Sequence, residues 1–107
     1  MSVYMVIEAK VKDQEKYDQY LAVVSDMIPK HDGRFLVRGG LVKPLALVGE
    51  MNPDRRQPER MIILEFPSEV HVRRFFASPE YQTIASLRQA AAETRAVLLE
   101  GYKPEKE

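Results

Sequence analysis

The chain has 107 residues, 45% of them apolar and 30% charged, which is the balance of one soluble globular domain with an ordinary core. Lys+Arg and Asp+Glu both number 16, so no net field gathers nucleic acid or anionic lipid. There is no cysteine, which excludes disulfides, thiolate metal sites and a Cys nucleophile, and which fits a reducing compartment. A cytoplasmic location is the expectation.

The N-terminus, Met1-Ser2-Val3-Tyr4, has no basic region and no long apolar run, so neither a signal peptide nor a membrane span is expected. Val3 to Val11 alternates with period two and predicts a strand. Asp13 offers an N-cap oxygen to a helix over Gln14 to Lys30, where Tyr17, Tyr20, Leu21, Val24 and Ile28 form an apolar stripe. Pro29 interrupts that stripe, and Gly33 is the expected left-handed stop.

Arg34 to Arg38 predicts a second, short strand, with a bulge or sharp twist at Gly39-Gly40. Leu41 to Val48 extends it as an edge segment, given Pro44. Asn52 to Pro58 holds two prolines and dense polarity and reads as a loop. Met61 to Phe66 is an apolar run broken by Glu65, the mark of a central strand.

Ser68 caps a helix from Glu69 to Ala77, with Val72, Phe75 and Phe76 on its buried side. Ser78-Pro79-Glu80 restarts a helix with a cap, an N1 proline and an early acid. It runs to about Glu93 with Tyr81, Ile84, Leu87 or Arg88, and Ala91 on one face. Arg95 to Tyr102 is the last strand, and residues 103–107 form a polar tail beyond the single domain of residues 1–102.

The order βαββαβ is that of a ferredoxin-like α+β sandwich, a four-stranded antiparallel sheet in the order 4-1-3-2 with both helical segments on one face. Parity then sorts the side chains. Met5, Ile7, Phe35, Val37, Ile62, Leu64, Phe66, Val97 and Leu99 are assigned to the helix-packed face. The opposite face carries Tyr4, Val6, Glu8, Arg34, Leu36, Arg38, Met61, Ile63, Glu65, Ala96, Leu98 and Glu100. Bare, its apolar band would cover roughly several hundred Å², large for a monomer, so a homodimer packed sheet to sheet is expected. Charges buried there need partners, and Arg38–Glu65 is the preferred pair.

Four blocks in order resemble a known family: Gly33 to Gly40, Glu65 to Ser68, Ser78 to Gln82, and Leu87 to Ala91. The chain resembles the domain-of-unknown-function 1330 family, of the dimeric α+β barrel superfamily, from Tyr4 to Gly101. The resemblance implies the same fold and a dimer. It implies no settled activity, since superfamily relatives include cofactor-independent oxygenases, isomerases, decarboxylating enzymes and haem-binding proteins. Those relatives hold small molecules in a cleft between sheet and helices or in the barrel. The segment from Val42 to Glu59 is longer than the hairpin expected of the family.

Arg38 is the first candidate site residue, as a clamp for a substrate carboxylate or enolate, or else as the interfacial partner of Glu65. Glu65 and Glu8, on adjacent central strands of one face, read as a general acid or base, or as a salt-bridged network. His31 ends the first helix, with Asp32 placed to orient it. His71 is expected in solvent. Tyr17, Tyr20 and Tyr81 read as core that could also line a helix–sheet cleft. The two histidines lie far apart with no carboxylate spacing around them, so neither a metal nor another cofactor is expected. Two readings follow. One is a metal-free enzyme binding a small anionic molecule in a pocket with Arg38 and a carboxylate. The other is a non-catalytic dimeric ligand-binding or interaction module. Nucleic acid and membrane are not expected partners.

Overall fold

The computed structural model describes residues 2–40, 42 and 59–102. The expected strand extension through Val48, the loop at 52–58 and the tail at 103–107 lie outside these residues. The elements run β1 (Val3–Val11), α1 (Gln14–Lys30), β2 (Arg34–Arg38), β3 (Arg60–Phe66), α2 (Glu69–Ala77), α3 (Pro79–Ala91) and β4 (Ala92–Glu100). The sheet order is β2-β3-β1-β4, with every pairing antiparallel. This is the expected ferredoxin-like arrangement, with the second helical segment split at Ser78-Pro79. None of the described helices is long and apolar enough to cross a membrane.

Local chemistry sets the helix ends. Asp13 accepts from the Lys16 amide at 3.1 Å and starts α1. Ser78 serves two helices: its hydroxyl donates to Phe75 O at 2.7 Å and accepts from the Tyr81 amide at 3.2 Å. The end of α1 differs from expectation. The left-handed residue is Asp32, with φ 65°, not Gly33. The Gly33 amide bonds Ile28 O and the Asp32 amide bonds Pro29 O, the two bonds of a Schellman turn. Gly33 is needed for room: a Cβ there would meet the Phe66 ring at 2.6 Å and Ile28 Cγ2 at 2.9 Å.

The core lies between the sheet and the helices. Phe66, Phe75 and Ile28 are its most deeply buried large side chains. Phe75 sits at its centre, within 6 Å ring-centroid distance of Phe66, Phe76, Tyr81 and His31.

Central strands follow the expected parity, and edge strands do not. In β1 and β3, Val3, Met5, Ile62, Leu64 and Phe66 are buried against the helices. In β2 a bulge falls between Phe35 and Val37, at Leu36 rather than at Gly39-Gly40. Phe35 stays on the helix face opposite Leu64, but Val37 now opposes Ile63 and Arg38 opposes Ile62. The bulge has exchanged the faces of Val37 and Arg38. In β4, Leu98 pairs with Met5 and Ala96 with Ile7, whereas Leu99 pairs with Tyr4 and Val97 with Val6. Val97 and Leu99 therefore belong to the open face, and Ala96, Leu98 and Glu100 to the helix face, the reverse of the parity assignment. The run Ala-Val-Leu-Leu is apolar at both parities, so alternation did not discriminate there.

Candidate functional site

The four residues chosen from the sequence are not brought together. Arg38 donates to Ser25 Oγ of α1 at 2.8 Å and lies over the Phe35 ring, 5.2 Å from its centroid. It is on the helix side, away from Glu65. The partner of Glu65 is Arg34, whose Nε lies 2.5 Å from Oε1, and the Tyr4 hydroxyl adds a donor at 3.3 Å. The Arg34 hydrogen bond, helped by Ser2 and Tyr4, holds the Glu65 carboxyl below the usual carboxylate range. Glu8 shares the open face with Glu65 but sits four residues along β1 from Tyr4, its cross-strand neighbour. The two carboxylates are thus about 13 Å apart along the sheet and form no dyad. Register instead sets Glu8 opposite Arg95.

His31 caps α1 and packs edge-on against Phe75. Asp32 does not orient it. Asp32 faces His71, Oδ2 to Nε2 at 3.7 Å, and His71 Nδ1 meets Ser68 Oγ at 2.7 Å. His71 is therefore partnered at the start of α2 while its side chain stays partly open to solvent. No group of three His, Cys, Asp or Glu side chains suited to a metal occurs among the described residues.

A cleft of about 320 Å³ lies elsewhere, between the helix face of the sheet and the helices. Its floor exists because side chains there are small. Along β1 and its neighbours, Ala9 is flanked by Thr94, and Ile7 by Ile62 and Ala96. Its walls are Tyr17 and Tyr20 of α1, Phe76 of α2, and Tyr81 and Arg88 of α3. An apolar cleft of this size with a few convergent polar groups is the usual form of a small-molecule site. A larger depression of about 630 Å³ on the outer side of α1 and α3 is an open furrow carrying Asp26, Lys30 and Glu80. It lacks the enclosure that a ligand site needs.

The polar groups of the cleft form one chain. Arg88 donates from Nε to the Tyr81 hydroxyl at 3.1 Å and from Nη1 to Thr94 Oγ1 at 2.7 Å. The Tyr81 and Tyr20 hydroxyl oxygens lie 3.1 Å apart. Two hydroxyl protons meet at that one contact, and a single bond consumes one of them. The other has no acceptor among the described residues and is available to a ligand. Burial, reinforced by Tyr81, pushes the Tyr20 phenol well above its ordinary value, and burial also raises Tyr17. Both stay protonated at neutral pH and act as donors. Arg88 is the one charged group among the described lining residues, and no carboxylate lines the cleft. The pocket expected to hold Arg38 and a carboxylate is thus a cleft with Arg88 and hydroxyls.

The sequence places the three tyrosines as core that could line a helix–sheet cleft and sets Leu87 or Arg88 on the Tyr81 stripe, but assigns neither Arg88 nor Thr94 to a site. A signal for Arg88 was present: it lies seven residues, two helical turns, after Tyr81, on the stripe that also holds Ile84.

Fold and site define a class: a ferredoxin-like α+β protein with an apolar, arginine-headed cleft under its helices. The family described as Domain of unknown function (DUF1330) matches residues 2–102, and the chain belongs to it. Three solved structures share the fold. A protein of unknown function from Rhodopseudomonas palustris is 19% identical, with a TM-score of 0.77 over 96% of this chain and 84% of its own. A dimeric ferredoxin-like protein of unknown function from Jannaschia sp. CCS1 is 14% identical, with a TM-score of 0.68 over 94% and 100%. SnoaB, a cofactor-independent oxygenase from Streptomyces nogalater, is 17% identical, with a TM-score of 0.64 over 99% and 98%. No curated protein matches the chain.

Proposed function

We propose that the protein is a homodimer that binds a small organic anion in the cleft between sheet and helices. The observation that carries this reading is the chain Thr94–Arg88–Tyr81–Tyr20. It gives an otherwise apolar cleft one guanidinium and a spare hydroxyl proton, with no acidic group among the described lining residues. An oxyanion supplies both the missing charge and the missing acceptor. The homodimer reading rests on the open face, where Val97, Leu99 and Val37 are 58%, 51% and 41% exposed, and on the dimeric Jannaschia neighbour.

The test is thermal shift with octanoate and benzoate. Ligand that binds only the folded state raises the melting temperature. Both acids should do so in the wild-type protein. Arg88→Gln should weaken the shift, and Ala96→Leu, which fills the floor, should abolish it while the unliganded protein stays folded. No shift in the wild type with either acid would refute the reading.

A catalytic reading draws on the same hydroxyl pair, which can donate a hydrogen bond to an oxyanion formed in the cleft. The Tyr20 phenol, raised by burial, is a weaker acid than a free phenol and stays protonated at neutral pH, so it serves as a hydrogen-bond donor. The likeness to a cofactor-independent oxygenase makes oxygen uptake with an enolisable substrate the assay to run. A Tyr20→Phe variant that keeps binding but loses turnover would favour the enzyme over the binding module.

A further inference from the structure

We infer that the cleft selects an unbranched monocarboxylic acid by its chain length, with the carboxylate at the mouth beside Arg88 and the tail running inward to a stop at Met5. The inference rests on the proposed anion site and adds the class of ligand and the residue that limits it. Register orders the lining. Thr94, which holds Arg88, is followed two residues later on β4 by Ala96 opposite Ile7, and two later again by Leu98 opposite Met5. Successive rows of this kind are roughly 6–7 Å apart. Met5 thus lies two rows along from Thr94 and one strand inward from the edge of the sheet.

Burial changes along that path. Thr94 and Arg88 are half-buried, and Ala96 and Leu98 are exposed, so the cleft opens along β4. Inward, Met5 and Ile62 are each 8% exposed and both line the cleft. Past Met5 the space between the layers is filled. Leu64 stands opposite Met5, and Val3 and Phe66 form the next row. All three belong to the core cluster, and none is among the described lining residues. The cleft therefore has an open end with a guanidinium and a blind end without one.

That gradient orients a ligand. A carboxylate is far costlier to take out of water than a methyl group, so the anion stays at the open end and the hydrocarbon goes inward. Arg88 keeps N–H groups beyond the two bonded to Tyr81 and Thr94 for it. Ile7, Ile62, Phe76 and Met5 offer no side-chain donor, so nothing on the inward path asks for a polar group on the tail. The volume then sets the length. About 320 Å³ has room for about ten groups the size of a water molecule. Octanoate, with eight carbons and two oxygens, fills it, and longer acids exceed it.

Calorimetric titration of the full-length protein with hexanoate, octanoate, decanoate and dodecanoate tests the inference. Each buried methylene strengthens binding about fourfold, so octanoate should bind at least about tenfold more tightly than hexanoate. The gain should end there, with decanoate and dodecanoate no tighter than octanoate. Met5→Ala should move the break to decanoate, and Arg88→Gln should weaken the whole series without moving it. Affinity that keeps climbing through dodecanoate in the wild type, or that is flat from hexanoate on, would overturn the length limit and leave the anion site standing. Failure of all four acids to bind would overturn both. A break still at octanoate in a folded Met5→Ala protein would overturn Met5 as the stop. The wild-type series decides the length limit alone, so a poorly folded variant does not remove the test.

Discussion

The two faces of the sheet do different work. The helix face buries Met5, Ile62, Leu64 and Phe66 and yields, at one end, to a cleft floored by Ala9 and Ala96. On the open face, Val97, Leu99 and Val37 remain exposed around the Arg34–Glu65 pair. The first face has a finished core and an unfinished polar site. The second has a finished ion pair and an unfinished apolar surface. What is missing on each face points to the kind of partner that completes it: an oxyanion in one case, apolar surface in the other.

Substitutions should separate the faces. The largest effect belongs to Phe66→Ala. Phe66 is fully buried, and its removal should cost about 3–5 kcal/mol in chemical denaturation. A loss below about 1 kcal/mol would mean that this core is not the protein's main source of stability. Next comes Leu99→Arg on the open face. It should leave the folded protomer nearly unchanged and shift light scattering from dimer to monomer. A dimer that survives the charge would place the interface elsewhere.

The smallest effect is the pH dependence of the open-face pair. The Glu65 carboxyl is held below its ordinary range in the folded state, so its contribution is complete at neutral pH. It is lost as pH falls through the depressed folded value. Arg34 is 71% exposed, so the contribution is small in the protomer. Arg34→Gln should raise the Glu65 titration midpoint in carboxyl NMR and flatten the acid limb of stability. An unchanged midpoint would show that Ser2 and Tyr4, not Arg34, set the carboxyl's state.

Much of the fold was legible because its signals are local. Asp13, Ser68 and Ser78 are caps that a sequence displays openly, and each starts a helix as expected. Strands β1 and β3 lie in the middle of the sheet, where burial forces apolar side chains onto one parity. At the edges that pressure relaxes. The bulge at Leu36 is a backbone event with no glycine to announce it, and a single inserted residue moved Arg38 to the opposite face. That one residue carried the expected Arg38–Glu65 pair and the expected pocket with it. The cleft was harder to see because it depends on what is small. Ala9, Ala96 and Thr94 come together only through the β1–β4 register, and Arg88 reaches them from a third element.

The measurement closest to the central claim is an NMR titration of the labelled protein with octanoate. The account predicts saturable shifts at Ile7, Ala9, Tyr20, Tyr81, Arg88 and Ala96, with Val6, Ile63, Val97 and Leu99 undisturbed. Shifts confined to those four open-face residues, or no saturable shift in the cleft, would contradict it.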